Sequence, residues 1–153
     1  RLRRLLNSNP LGLLNHYHGF GMKRKLIPSH SPFAPIVGFS RAVRVGPYVS
    51  VGGTAPIDSS GITVGVEDPG AQALQCYQTI IAALEDAGAG LENVVRTRTM
   101  LTRISDWKAV AEVRGQFFKD ILPVDTVVEV SQFIDSDWLV EIEVDAILHN
   151  EEA

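Results

Sequence analysis

Trp138-Leu139-Val140-Glu141-Ile142-Glu143-Val144-Asp145-Ala146-Ile147-Leu148 alternates apolar and acidic residues without a break from Val140 to Ala146. A period of two marks a β-strand, whose successive side chains point to opposite faces. Val140, Ile142, Val144 and Ala146 form one row, and helices are its expected cover. Glu141, Glu143 and Asp145 form the other. Three like charges on one strand face repel unless water, cations or a partner subunit meets them. A solvated outer face is the plainer reading of that row, and a cleft or subunit boundary the sharper one.

Working outward from this strand, the rest of the chain alternates strand and helix signals. Phe39 to Val45 and Tyr48 to Thr54 read as two strands joined by a Gly46-Pro47 turn. Gly52-Gly53 leaves the second strand bare of side chains, which suits either a bulge or the close approach of a ligand or another backbone. Asp68-Pro69 opens a helix, since Asp accepts from orphan amides and Pro suits the first helical position. Its apolar stripe is read as Leu74, Tyr77, Ile81 and Leu84, and Gly88 and Gly90 stop it. Cys76 shares a stripe with Ile80 and Ala83, so a buried, inert thiol is expected.

Val94 to Thr102 reads as a strand with Arg96, Arg98 and Met100 on one face. Ser105 is the expected cap of a second helix, with a stripe of Trp107, Val110, Arg114, Phe117 and Ile121. A strand follows from Pro123 to Val130. The order is strand, strand, helix, strand, helix, strand, strand, with Pro28 to Pro35 as a Pro- and Ser-rich opening segment. Both helices fit one face of a mixed sheet, giving an α+β two-layer sandwich. The other face would carry Val127 and Met100 beside Arg96, Arg98, Glu141 and Glu143, a mixture better suited to a subunit interface than to open surface.

At 153 residues, one domain is expected, and 45% hydrophobic with 21% charged residues fits an ordinary globular chain. No acidic residue precedes Asp58, while eight Lys and Arg do; the remainder carries six basic residues against all 18 acids, a formal −12. An acidic body does not suit nucleic acid. The single cysteine rules out an internal disulfide framework and fits a reducing, cytoplasmic compartment, and no apolar run approaches a membrane span. Residues 1–21, basic and leucine-rich and then broken by Pro10, Gly12 and Gly19, read as an N-terminal extension, disordered or non-native, with a targeting segment second. His16 and His18 lack companion metal ligands nearby, and no metal or other cofactor is expected. Residues 22–153 form the single domain.

Several stretches together resemble the RidA/YjgF family of small trimeric proteins. They are Val51-Gly52-Gly53-Thr54-Ala55-Pro56, Ala71-Gln72-Ala73 running into Ala82 to Ala89, Leu91 to Thr97, Leu122-Pro123 to Val130, and Val140-Glu141-Ile142-Glu143. The resemblance spans about Phe33 to Leu148. It implies a fold like trimeric chorismate mutase, three sheets closing a central barrel, and ligand clefts between subunits. It also implies hydrolysis of imines and enamines such as 2-aminoacrylate, with an arginine gripping the substrate carboxylate and a glutamate of the last strand positioning water. The family is often labelled an endoribonuclease.

Carried onto this chain, the family's arginine falls at Asp125, its first-strand tyrosine at Phe39, its cleft serine at Gly52 and its second-helix asparagine near Ala111. Gly53 and a glutamate, matched here to Glu143, remain. Losing a charge-assisted fork forfeits about 1.5–3 kcal/mol of carboxylate binding. An aspartate there also repels an anion, by roughly 1 kcal/mol in water and about 4 at an effective dielectric of 20. The expectation is a RidA-like homotrimer whose inter-subunit clefts bind a small molecule and hydrolyse a non-carboxylate imine or enamine. The alternatives are a weak 2-imino acid deaminase of the usual family type and a non-enzymatic binding or chaperone-like trimer.

Overall fold

The computed structural model describes residues 22–149. The expectations for residues 1–21, including His16 and His18, lie outside the described residues. Nine elements follow in chain order: β1 (Arg24–Ile27), α1 (Ala34–Val37), β2 (Ala42–Val45), β3 (Tyr48–Thr54), α2 (Pro69–Asp86), β4 (Val94–Leu101), α3 (Trp107–Phe118), β5 (Val124–Glu129) and β6 (Val140–Ile147).

The six strands make one mixed sheet in the order β1-β2-β3-β6-β4-β5. The last strand in sequence therefore sits near the middle, antiparallel to β3 on one side and β4 on the other. A strand in that place needs one face wholly apolar. Val140, Ile142, Val144 and Ala146 meet the requirement, none more than 1% exposed. Helix α2 covers them, contributing Cys76, Tyr77, Ile80 and Leu84 to the same core. β5 alone runs parallel to its neighbour, β4, and α3 makes the crossover that a parallel pair requires.

The local signals behave as their chemistry dictates in several places. Gly46 takes φ +58° in the β2–β3 hairpin, and the Asp68 carboxylate accepts from the Ala71 amide to cap α2. Buried Gln72 ties α2 to the start of β6, donating to the Asp137 carbonyl and accepting from the Leu139 amide, each at 2.7 Å.

Elsewhere the structure corrects the reading. A strand, β1, precedes the opening segment, and that segment runs into the single-turn helix α1. β2 begins at Ala42 rather than Phe39. In α2 the buried stripe runs through Gln72, Ala73, Cys76 and Ile80, while Leu74 is exposed. Ser105 does not cap α3; it sits inside a 3-10 turn, Ile104–Asp106, and Trp107 is exposed. On the outer sheet face, Val128 rather than Val127 stands beside Met100, because β5 pairs in register with Met100↔Val128 and Thr99↔Val127.

No helix among the described residues is long and apolar enough to cross a membrane. Nor do any three of their His, Cys, Asp or Glu side chains converge as metal ligands.

Candidate functional site

The β3–β6 ladder slips between Val51 and Thr54, where Gly52-Gly53 sits. A bulge without side chains opens space beside it, and a cavity of about 580 Å³ occupies that space. Its walls come from the opening segment, from β3, from one side of α2 and from the start of β6. Phe39, Trp138, Ile57 and Ile134 make much of the surface apolar. Trp138 is fixed there by its indole N–H, which donates to Thr63 Oγ1 at 3.1 Å.

Arg41 and Glu141 are the two charged groups set against the glycine pair. The guanidinium of Arg41 uses one nitrogen, Nη1, to donate to the Gly52 carbonyl at 3.2 Å, the Gly53 carbonyl at 2.7 Å and Thr54 Oγ1 at 2.7 Å. Its Nε and Nη2 have no hydrogen-bond partner among the described residues. The Phe39 ring lies 6.0 Å from the guanidinium carbon. Glu141 comes from the other side of the bulge. Its side chain lies so close to Gly53 that a Cβ on that residue would overlap the carboxylate. The carboxylate accepts no hydrogen bond and forms no ion pair among the described residues.

Burial therefore acts on both groups. It raises the Glu141 carboxyl above the usual carboxylate range; the attraction of Arg41 opposes that rise and repulsion from Glu143 adds to it. Burial also pulls the Arg41 guanidinium down, with Glu141 opposing. Cys76, beneath them in the core, has its thiol pushed well up by burial, as an inert sulfur should.

Of the residues singled out from sequence, Phe39, Gly52 and Gly53 line this cavity. Glu143, Asp125 and Ala111 do not. Glu143 stands opposite Arg98 in the β4–β6 register and is held by it at 2.5 Å, while the same arginine reaches Asp145 at 3.2 Å. That arginine's pKa is raised, first by its hydrogen bond to Glu143. Asp125 faces α3. It accepts from Thr97 Oγ1 at 2.6 Å and pairs with Arg114 Nε at 3.4 Å. Arg114 also donates to Thr97 and to the Pro123 carbonyl, and its guanidinium lies over Phe118. Ala111 is exposed on α3, one turn before Arg114.

Arg41, Glu141 and Trp138 went unmatched to the site in the sequence. Arg41 stands in Phe39-Ser40-Arg41-Ala42-Val43-Arg44-Val45, where it reads as an outward charge on a strand. Glu141 shares a row with Glu143, and alternation cannot separate them.

Comparison with known proteins gives consistent relatives. The family model described as Endoribonuclease L-PSP matches residues 29–148. An uncharacterised protein of Streptomyces coelicolor is 37% identical over 120 residues, which is 78% of this chain and 89% of that protein. A 3-aminoacrylate deaminase, RutC, of Acinetobacter baylyi is 28% identical over 120 residues, 78% of this chain and 94% of its own. Among solved structures, a Mycobacterium tuberculosis member of the YjgF/YER057c/UK114 family superposes with a TM-score of 0.75 at 44% identity, over 82% of this chain and all of that one.

Proposed function

The chain belongs to the Endoribonuclease L-PSP family, which is also the RidA/YjgF family, and from that premise we propose that its cavity binds a small imine or enamine and hydrolyses it. The observation that carries this reading is Glu141: a carboxylate with no partner among the described residues, partly buried, with a raised pKa, in a largely apolar cavity. A carboxylate so placed has its lone pairs free for a water, and a pKa moved toward neutrality improves a general base.

The step balances simply. Glu141 takes a proton from water as the water oxygen bonds to the imine carbon, and returns it to the imine nitrogen to give a neutral carbinolamine. Glu141 then takes the carbinolamine hydroxyl proton as the carbonyl forms and passes it to the leaving nitrogen as the C–N bond breaks, so that one imine and one water give one carbonyl compound and one ammonia. An enamine enters the same route once its β-carbon is protonated. The relative named 3-aminoacrylate deaminase supports an enamine-type substrate, since its name gives it one.

Within one subunit the charge of Asp125 faces Arg114 and Thr97, on the helix side of the sheet and away from the cavity, which supports a reading in which Asp125 does not bar an anionic substrate from that cavity. The glutamate proposed for water is accordingly Glu141, and Glu143 is left to the pair with Arg98. We further propose a homotrimer. Its support is the outer sheet face, where Val124 and Val128 are exposed beside the Arg98, Glu143 and Asp145 cluster. Light scattering that returns a monomer mass at micromolar concentration would remove it.

The test of the activity is ammonia release from imines and enamines generated in situ by an amino-acid oxidase or a dehydratase, against a buffer control. Release at the buffer rate for every substrate offered overturns the hydrolytic reading.

A further inference from the structure

The cavity has one wall that is braced and another that is not. Trp138 belongs to the braced wall. Its indole N–H donates to Thr63 Oγ1 at 3.1 Å, and its backbone N–H donates to the Asp135 carbonyl at 3.2 Å. Buried Gln72 holds the chain on both sides of it, at the Asp137 carbonyl and at the Leu139 amide, each at 2.7 Å. Thr63 is itself bridged to Ile57, whose carbonyl accepts from Gln75 at 3.0 Å. Trp138 is 6% exposed, and with its N–H turned to Thr63 the part of the indole left for the cavity is carbon. The wall formed by residues 28–40, which includes Phe39, is tied at its ends, where the Arg41 amide donates to the Ile27 carbonyl at 2.8 Å. Among the described residues, the hydrogen bonds of that segment stay within it. A fixed, flat, apolar surface suits a ligand that is itself flat, because offset aromatic pairs contribute beyond the area they bury. The cavity, at about 580 Å³, has room for such a ring beside the reacting group.

We propose that Trp138 is the specificity-determining residue of this cavity, an aromatic platform that selects imines and enamines carrying an aromatic ring, and that Gln72 is a positioning residue acting through it. The proposal rests on the hydrolytic reading of the same cavity and names the feature its substrates share. In it the ligand's ring lies against the indole and its imine carbon reaches toward Glu141, three residues further along the same stretch of chain. Phe39, on the wall without braces, completes the enclosure. The products are then an aryl-substituted carbonyl compound and ammonia. Gln72 touches no ligand; it fixes the backbone from which the indole projects, and Thr63 fixes the rotation of the indole itself.

Binding of two neutral ketones tests this apart from turnover. Phenylacetone and cyclohexylacetone are titrated calorimetrically into the unaltered full chain. They share one carbon skeleton, but the first ring is flat and the second is puckered and more hydrophobic. Burial alone favours cyclohexylacetone. A platform favours phenylacetone, by about two- to ten-fold. Trp138→Leu should erase that preference, and Trp138→Phe should keep part of it. Gln72→Met should reduce the preference as well, whereas loss of a residue that only holds the fold would weaken both ligands alike. Melting temperature is recorded for each variant; the ketone pair needs no variant at all. Trp107, the other tryptophan, is exposed on α3 and does not line the cavity. In Trp107→Phe the emission is therefore that of Trp138, and it should change saturably over the phenylacetone concentrations at which calorimetry shows binding. Equal affinity, or a preference for cyclohexylacetone, overturns the platform. So does a folded Trp138→Leu that still prefers phenylacetone, or an emission that phenylacetone leaves unchanged. A folded Gln72→Met with the full preference overturns the positioning role. If the preference holds and no imine releases ammonia, the hydrolytic reading falls and the platform stands. If ammonia is released while the two ketones bind alike, the platform falls and hydrolysis stands.

Discussion

Glu141 and Glu143 lie two residues apart on one row of one strand, yet they live in different chemistry. Across β4, Glu143 meets Arg98 and Glu141 meets Met100. Across β3, Glu141 meets the glycine bulge. Both are half-buried, but Glu143 has a tight partner and Glu141 has none among the described residues. The spacing in the sequence gives both the same face; the identity of the residue opposite decides which is neutralised and which is left for chemistry. A carboxylate in a cavity without a partner costs stability, because desolvation is not repaid. Such a cost is the expected mark of a functional group.

The largest effect should come from breaking this contrast directly. Glu141→Gln is expected to lower imine hydrolysis by about 10²-fold or more, the scale of a lost general base. Glu143→Gln should leave kcat within a few-fold. Its pair with Arg98 keeps solvent contact on one strand face, and such pairs contribute about 0.2–1 kcal/mol. Steady-state ammonia release on both variants reads the difference. Comparable losses would mean that Glu143 reaches the substrate, as in a cleft completed by another subunit.

A smaller loss is expected from Gly53→Ala. The added methyl would overlap the Glu141 carboxylate, the far end of a flexible side chain that can swing away. Folding should suffer little, while hydrolysis falls by about ten- to hundred-fold because the carboxylate is misplaced. A Gly53→Ala protein with full activity would show that the carboxylate need not lie against the bulge.

The pH dependence sharpens the same comparison through stability. The Glu141 carboxyl titrates higher in the folded chain than in the unfolded one, chiefly through burial. Its protonated form thus contributes stability that is fully present below the ordinary carboxylate pKa and is lost as pH rises through the raised value. Glu141→Gln resembles the protonated form at every pH. Its melting temperature should match the parent's in acid and exceed it progressively as pH rises past the usual carboxylate range. Hydrolysis by the parent should rise over that same window, as the base ionises. A melting-temperature gap independent of pH would remove Glu141 from both roles.

Much of the architecture was legible because it rests on periodicity. The β6 alternation, the Tyr48–Thr54 strand and the Asp68-Pro69 helix start all stand where their residues put them. β1 was not legible. Arg24-Lys25-Leu26-Ile27 is four residues long with three of them exposed, and only its pairing with β2 makes it a strand. α1 is a single turn that carries a proline in its first positions. In the site, Gly52 and Gly53 announced themselves as missing side chains, and Phe39 came with the family likeness. Arg41 and Glu141 could not be singled out, because their roles come from a ladder slip that no local pattern encodes.

The smallest expected effect concerns Asp125, and it sets the cavity against the far edge of the same sheet. Asp125→Asn keeps an oxygen to accept from Thr97 and keeps the shape of the side chain. It removes the charge that faces Arg114 across 3.4 Å. Both side chains retain solvent contact, and Arg114 keeps its bonds to Thr97 and the Pro123 carbonyl. The stability change should therefore stay within about 1 kcal/mol, the ordinary scale for such a pair. Hydrolysis should stay within a few-fold, because within one subunit Asp125 lies outside the cavity. Assembly makes this informative. β5 is an edge strand, exposed along its whole length, so it is the part of the sheet a second subunit can most easily approach. If Asp125 stood over a neighbour's cavity, its negative charge would oppose a bound carboxylate. Asp125→Asn would then speed hydrolysis of an imine that carries a carboxylate while leaving a neutral imine unchanged. Ammonia release from both kinds of imine separates the cases: unchanged rates keep Asp125 outside the site, and a selective gain for the acid would place Asp125 in the completed cleft.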